Sequence, residues 1–223
     1  HLIDHLKEII QDADFINQHK NREQDFTRSG PLSFPVTFMM MLQSNLSYTN
    51  VLRKHFNPDN LTPLACPTKQ SYFEARYKLR PSAFEEVGDR FVKVFYSKGN
   101  SQNRSFCDMR VLAIDGSGLR LEDRAYTEML QELKDKDIAV PVSVNNPQAP
   151  VIRASILHDV DNDIVIDIKA GANVFSEEEL ALEHCSKVSN SDVLLFDRGY
   201  HALWLQAVLN KQGNHFICRG KRQ

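Results

Sequence analysis

Long apolar runs are missing from this chain. The longest, Phe38-Met39-Met40-Met41-Leu42, falls far below the roughly 20 residues that cross a bilayer. With no cleavable leader visible at the start, the sequence reads as a protein of the cytoplasm. Cysteine is also scarce. Cys66, Cys107, Cys185 and Cys218 form no Cys-x-x-Cys pair, and no histidine stands at zinc-ligand spacing; a structural zinc site and a disulfide scaffold are excluded, leaving reduced thiols that behave as small core residues. Positive charge is not in excess either, since 27 Lys and Arg face 29 Asp and Glu for a net charge of −2. A surface coated with basic residues for nucleic acid is therefore excluded. Asp115-Gly116-Ser117-Gly118 lacks the Gly-Lys-Ser/Thr of a phosphate loop, and no Gly-x-Ser-x-Gly elbow occurs, which removes the P-loop and serine-hydrolase readings.

Two further patterns carry less than they promise. Asp159-Val160-Asp161-Asn162-Asp163 begins like a calcium-binding loop, but Ile164 stands where the sharp turn needs glycine and Ala170 where the bidentate glutamate belongs; it is read as a hairpin turn. His184 beside Cys185 is a sequence pair rather than a spatial dyad, because adjacent residues on a helix leave it about 100° apart.

What the chain does have is length and apolar content, 223 residues at 42% hydrophobic, enough for one large domain or two modest ones. It starts with His1 rather than Met, so the stretch is expected to begin inside a longer polypeptide or to follow an unseen leader or tag. The first half reads as helical. Leu2, Ile3, Leu6, Ile9, Ile10 and Ile16 recur at helical steps over 2–16; Ser33 and Pro35 open a second helix through Leu46; a third is expected over 49–55, before Pro58, Pro63 and Pro67 enforce a loop. The three consecutive methionines are read as core filling. Thr68 is placed to cap a helix over 69–79, and Pro81 to open another on which Phe84, Val87, Phe91, Val94 and Phe95 share a face. That pair fits a helix-turn-helix-like unit in which Lys69, Gln70, Arg76 and Lys78 would contact DNA, inside a basic patch opposed by Glu74 alone. A second basic patch, Arg219, Lys221 and Arg222, closes the chain.

Composition changes after the polar run 97–107, which divides the chain into an all-α N-terminal domain, 1–100, and a strand-rich domain, 101–223. In the second, a strand over 110–114 ends in Asp115; a short helix is expected over 126–133, followed by a loop punctuated by Pro141, Pro147 and Pro150. Strands at 151–158 and 164–168 flank an Asp161-Asn162 turn, Ser176 caps a helix with three glutamates in its first turn, a strand over 193–196 ends in Asp197, and a helix over 201–210 leads through Gly213 to a last strand, 215–218. This order predicts an α/β fold with a mixed sheet. The central reading concerns Asp115 and Asp197. Both follow buried-type apolar runs and both precede glycine within two residues; if the strands are parallel neighbours their axes lie about 5 Å apart, close enough for the two carboxylates to repel unless a cation such as Mg²⁺ lies between them. Arg198 is suited to a phosphate at such a site, and Tyr200 to a neighbouring carboxylate.

The motifs Leu112-Ala113-Ile114-Asp115-Gly116-Ser117, Ile156-Leu157-His158-Asp159-Val160 and Leu194-Leu195-Phe196-Asp197-Arg198-Gly199-Tyr200, with residues 69–79 ahead of them, resemble the IS4 group of bacterial insertion-sequence transposases, members of the DDE superfamily. The resemblance implies a ribonuclease H-like mixed sheet with flanking helices. It also implies Asp115 and Asp197 as catalytic metal ligands for two Mg²⁺ (or Mn²⁺) ions, with cleavage at transposon ends and strand transfer into target DNA. The expected setting is a homodimer on DNA in a bacterial nucleoid. Family members need a third carboxylate, a glutamate on a later helix beyond a β-rich insertion, and Gln223 falls about where that insertion should start. The stretch by itself is thus expected to be inactive, unless Glu178, Glu179 or Glu183 approaches the metal as a helix glutamate does in ribonucleases H. The alternative reading is a non-catalytic, truncated transposase that binds DNA ends or interferes with an active copy.

Overall fold

The computed structural model describes residues 2–43, 48–56, 66–97, 106–138, 151–172 and 174–220. Residues 98–105 of the expected linker, Pro58, Pro63, the loop of Pro141, Pro147 and Pro150, and the basic Lys221 and Arg222 lie outside them. The chain forms two compact units, His1–Ser97 and Lys98–Gln223.

Six helices build the first unit among its described residues: α1 Leu2–Gln11, α2 Ala13–His19, α3 Phe34–Leu42, α4 Tyr48–Phe56, α5 Lys69–Arg76 and α6 Ser82–Ser97. The single helix expected over 2–16 is broken at Asp12, whose Oδ1 accepts from the Phe15 amide at 2.9 Å and so starts a new helix. The break lets Ile9 and Ile10 from α1 and Phe15 from α2 enter one core with Phe34, Phe38, Leu79, Ala83 and Val87. Asp12→Ala is expected to cost about 1 kcal/mol, the usual worth of an N-cap, read as a lowered urea midpoint. The methionine run packs as expected: Met39 lies against this core, while Met40 and Met41 join a second one around Val51, Leu52 and Tyr72. Thr68 does cap α5, accepting from the Ser71 amide at 3.2 Å. The helix stops at Arg76 instead of Leu79, because the chain is drawn out to meet the end of α2: Asn21 N donates to Lys78 O at 2.9 Å and Arg80 N to His19 O at 2.8 Å. His19 is buried and ties α2 to α6, its Nδ1 2.9 Å from Ser82 Oγ and its Nε2 2.8 Å from Glu86 Oε2.

In the second unit the described elements are β1 Arg110–Arg120, α7 Asp123–Asp135, β2 Val151–Asp159, β3 Ile164–Ala172, α8 Glu177–Glu183, β4 Asp192–Phe196, α9 Leu203–Lys211 and β5 His215–Cys218. They form the expected α/β architecture, a five-stranded mixed sheet in the order β3-β2-β1-β4-β5 with flanking helices. β2 runs antiparallel to β1 and β3, while β4 runs parallel to β1 and β5. The β2–β3 connection is the expected hairpin: buried Asp159 accepts from the amide of Asn162 at 3.1 Å and from its side chain at 2.9 Å. α8 packs on β1, β2 and β3, burying Leu180 and Ala181. At the start of the parallel pair, Arg110 donates from Nε and Nη2 to the two oxygens of Asp192, each at 2.7 Å.

One expectation for β1 is corrected. The strand does not end at Asp115; β1 runs on through Gly116 to Arg120, paired with β2 from Leu112 onward. Only its pairing with β4 stops, at Ile114↔Phe196. The apolar run marks the half of the strand with neighbours on both sides, whereas the polar half is held by β2 alone.

Candidate functional site

Ile114 and Phe196 are the last partners of the parallel β1–β4 pair, so Asp115 and Asp197 are the next residues on two adjacent strands. Strand spacing is about 4.8 Å, and both residues are exposed at the edge where the β1–β4 pairing stops. Asp115 Oδ1 accepts from the Gly116 amide at 3.0 Å. Asp197 Oδ1 accepts from the Gly199 amide at 2.7 Å and opens a single 3-10 turn, Arg198–Tyr200. Each carboxylate thus has one oxygen committed to a backbone amide and a second to offer.

Both glycines leave room that a side chain would crowd, and neither has left-handed backbone. A Cβ at Gly199 would stand 2.8 Å from Asp197 Oδ1, and one at Gly116 would stand 3.1 Å from Glu177 Cγ, Glu177 Cδ and the Tyr200 hydroxyl oxygen. Over Gly116, then, a carboxylate from α8 and a phenol from the turn after β4 converge. Tyr200 is 1% exposed, its ring 5.4 Å from that of Phe196, and its hydroxyl has no hydrogen-bond partner among the described residues. Burial raises the phenol's pKa well above the ordinary value, and the charges of Glu177, Asp115, Asp197 and Glu178 raise it further. Four carboxylates therefore act on one buried oxygen.

α8 is set in place by its own N-terminus. Ser176 and Glu179 form a reciprocal capping box, Glu179 N donating to Ser176 Oγ at 3.1 Å and Ser176 N to Glu179 Oε2 at 2.7 Å. Arg153 on β2 donates to Phe175 O at 2.9 Å and stands 3.9 Å from Glu177 Oε1. Of the helix glutamates considered from sequence, Glu179 is spent on the cap and Glu183 is exposed at the far end. Glu177 is the one beside Gly116, and sequence reasoning passed it over. The signal that could have found it is a glycine inside a strand, which often marks a close approach by another group.

Arg198 follows Asp197 directly and is exposed, and Arg219 lies at the same edge, its amide donating to Phe196 O at 3.1 Å. Cys218 Sγ donates to Asp197 O at 3.5 Å, and burial with the Asp197 charge pushes this thiol up. Lys69, Gln70, Arg76 and Lys78 are exposed in the first unit. Lys69 stands 5.8 Å from the Phe73 ring, Arg76 lies 5.4 Å from Phe73 and 5.9 Å from Tyr72, and Gln70 donates to Glu74 at 3.0 Å.

Among the described residues no group of three or more His, Cys, Asp or Glu side chains is arranged to hold a metal; two carboxylates with water and phosphate oxygens are the usual protein share of a Mg²⁺ site, so the donor set of Asp115 and Asp197 fits that ion. His184 joins Asp167, 2.8 Å from Nδ1, and Ser155, 3.1 Å from Nε2. The arrangement resembles a hydrolytic triad, but Ser155 and His184 are fully buried, so it serves to tie the end of α8 to β2 and β3.

No protein-family model and no curated protein matches the chain. Among solved structures it is similar to the piggyBac transposase in a synaptic complex with hairpin DNA, at 13% identity and a TM-score of 0.47, covering 100% of this chain and 51% of that one. It is also similar to the Mos1 transposase in a paired-end complex with the left transposon end, at 8% identity and a TM-score of 0.30, over 88% of this chain and 61% of that one. The chain thus spans about half the length of the piggyBac protein. Similarity this low leaves function to the chain's own residues. No helix among the described residues is long and apolar enough to cross a membrane.

Proposed function

We propose that this chain is part of a DNA transposase with a ribonuclease H-like core, acting on phosphodiester bonds with a divalent cation. The observation that carries this reading is the parallel β1–β4 pair, whose last partners, Ile114 and Phe196, are followed directly by Asp115 and Asp197. The motif resemblance to the IS4 group supports it. Asp115 and Asp197 would hold Mg²⁺ or Mn²⁺, which when bound activates an attacking oxygen and stabilises a leaving one. Arg198 and Arg219 supply positive charge at the same edge for the phosphates. Lys69, Gln70, Arg76 and Lys78 offer a second, separate set of contacts to the DNA backbone.

The test is cation binding by the 223-residue chain. Mn²⁺ at about 100 times its dissociation constant is expected to stabilise the fold by roughly 2.7 kcal/mol, seen as a raised melting temperature. DNA affinity should fall linearly as log salt rises. A chain whose melting is indifferent to Mn²⁺ overturns the metal reading; salt-dependent DNA binding without any cation effect would favour a non-catalytic DNA-binding protein instead.

A further inference from the structure

We propose that Trp204 is a stacking platform for an unpaired nucleobase of a DNA strand lying at the edge of Asp115 and Asp197, with Leu203 as its apolar shoulder. This rests on the function proposed above and names the form of DNA the site takes. β4 and β5 are parallel, so the helix joining them starts where β4 ends. α9 therefore opens at the edge that carries Asp115 and Asp197. Leu203 and Trp204 are its first two residues, 76% and 46% exposed. The helix does not need them for packing. It buries Leu205 and Leu209, and because residues step about 100° around a helix, Leu203 points away from Leu205. Trp204 makes no ring contact or hydrogen bond among the described residues.

Single exposed apolar side chains are ordinary; the surroundings of this pair are what point to a ligand. Arg198 follows Asp197 directly, and Arg219 stands at the end of β5 with its amide on Phe196 O at 3.1 Å; both are exposed. One edge thus combines two guanidiniums suited to phosphates, an indole suited to the face of a base and a leucine suited to its rim, the mixture by which proteins hold a single nucleotide strand. A base inside a duplex has both faces covered by its neighbours, so an indole finds a free face on an unpaired base. The negative charges of Glu177, Asp115, Asp197 and Glu178 all reach Tyr200, three residues before the helix. They oppose a phosphate until a cation offsets them, and stacking at Trp204 is therefore expected to be strongest with Mg²⁺ present.

Trp204 is the only tryptophan of the chain, so its fluorescence reports on that one place. The 223-residue chain with Mg²⁺ is titrated with a single-stranded oligodeoxynucleotide, with an abasic oligomer carrying the same number of phosphates, and with a long duplex whose ends are negligible. Affinity is read separately, from the anisotropy of labelled oligomers. The single strand is expected to quench the emission, and the other two to leave it nearly unchanged. Trp204→Ala should bind the single strand about 5- to 150-fold more weakly and the abasic oligomer as the wild type does; Trp204→Phe, which keeps an aromatic face, should fall between. Both variants should melt close to the wild type, because the ring is exposed. Salt-dependent binding of the oligomers with unchanged emission, or with equal affinity in Trp204→Ala, would overturn the stacking role and leave the DNA reading standing. Equal quenching by the long duplex would overturn the preference for unpaired bases. If none of the three binds, the proposed function falls with it.

Discussion

Asp115→Asn and Asp197→Asn are each expected to weaken Mn²⁺ binding more than about 100-fold, beyond what loss of an outer partner costs a metal site. Cation-dependent DNA cleavage by any longer polypeptide carrying this chain should be lost with it. Asparagine suits the test because its carbonyl oxygen can still accept from the Gly116 amide, 3.0 Å away in the wild type, or from the Gly199 amide, 2.7 Å away. Local backbone geometry is kept and only the charge goes. Two like charges on neighbouring strands repel, so without metal either variant should melt no lower than the wild type. With Mn²⁺ it should lose the stabilisation the wild type gains. A variant that keeps the Mn²⁺-dependent rise in melting temperature sinks the assignment of that residue.

The second large effect concerns stability. Asp192 is fully buried and accepts from Arg110 in bidentate fashion at 2.7 Å, from the Ser189 amide at 2.7 Å and from Ser189 Oγ at 2.8 Å. Burial pushes the carboxyl upward, but the Arg110 and Ser189 hydrogen bonds with the Arg110 charge outweigh it and hold Asp192 below the usual carboxylate range. Asp192→Ala removes the bidentate acceptor of a mostly buried guanidinium, and the expected loss is about 3–5 kcal/mol, a large share of the roughly 5–15 kcal/mol that stabilises a domain. Replacing both partners together, Arg110→Met with Asp192→Leu, should cost less than Asp192→Ala, the remaining loss coming from the Ser189 amide and hydroxyl that donate to Asp192. Because the folded pKa is depressed, the stabilisation is complete above the unfolded value of about 3.9 and is lost as pH falls through the lower folded value. Acid should therefore cost the wild type more than Asp192→Ala below about pH 4. Urea midpoints across pH decide it; a single-variant loss under about 1 kcal/mol would mean the pair is not desolvated as described.

Much of the second unit could be read from residue order. The apolar runs at 111–114 and 193–196 announced strands buried on both faces, and they are adjacent and parallel. Thr68 and Ser176 cap where their side-chain chemistry suggested, and Asp161-Asn162 turns a hairpin. What was illegible was set by partners far away in the chain. β1 doubles in length because β2 pairs with its polar half, which no local propensity encodes. α5 ends early because Lys20 and Leu79 meet as an isolated bridge. The break at Asp12 was visible in principle, since a short acid can cap from inside an apparently continuous pattern. Glu177 was hidden because three acids stand in a row at 177–179, and only the tertiary position of Gly116 distinguishes the first.

The continuation of β1 past its acid gives the two carboxylates unequal stiffness. Asp115 sits mid-strand, opposite Ile156 in the β1–β2 ladder, whereas Asp197 sits where β4 has ended and a three-residue turn begins. Amide exchange should accordingly be slower at 115–117 than at 197–199. One acid is the fixed jaw and the other the adjustable one, so accommodation to a bound ion or a distorted backbone falls on the side of Asp197.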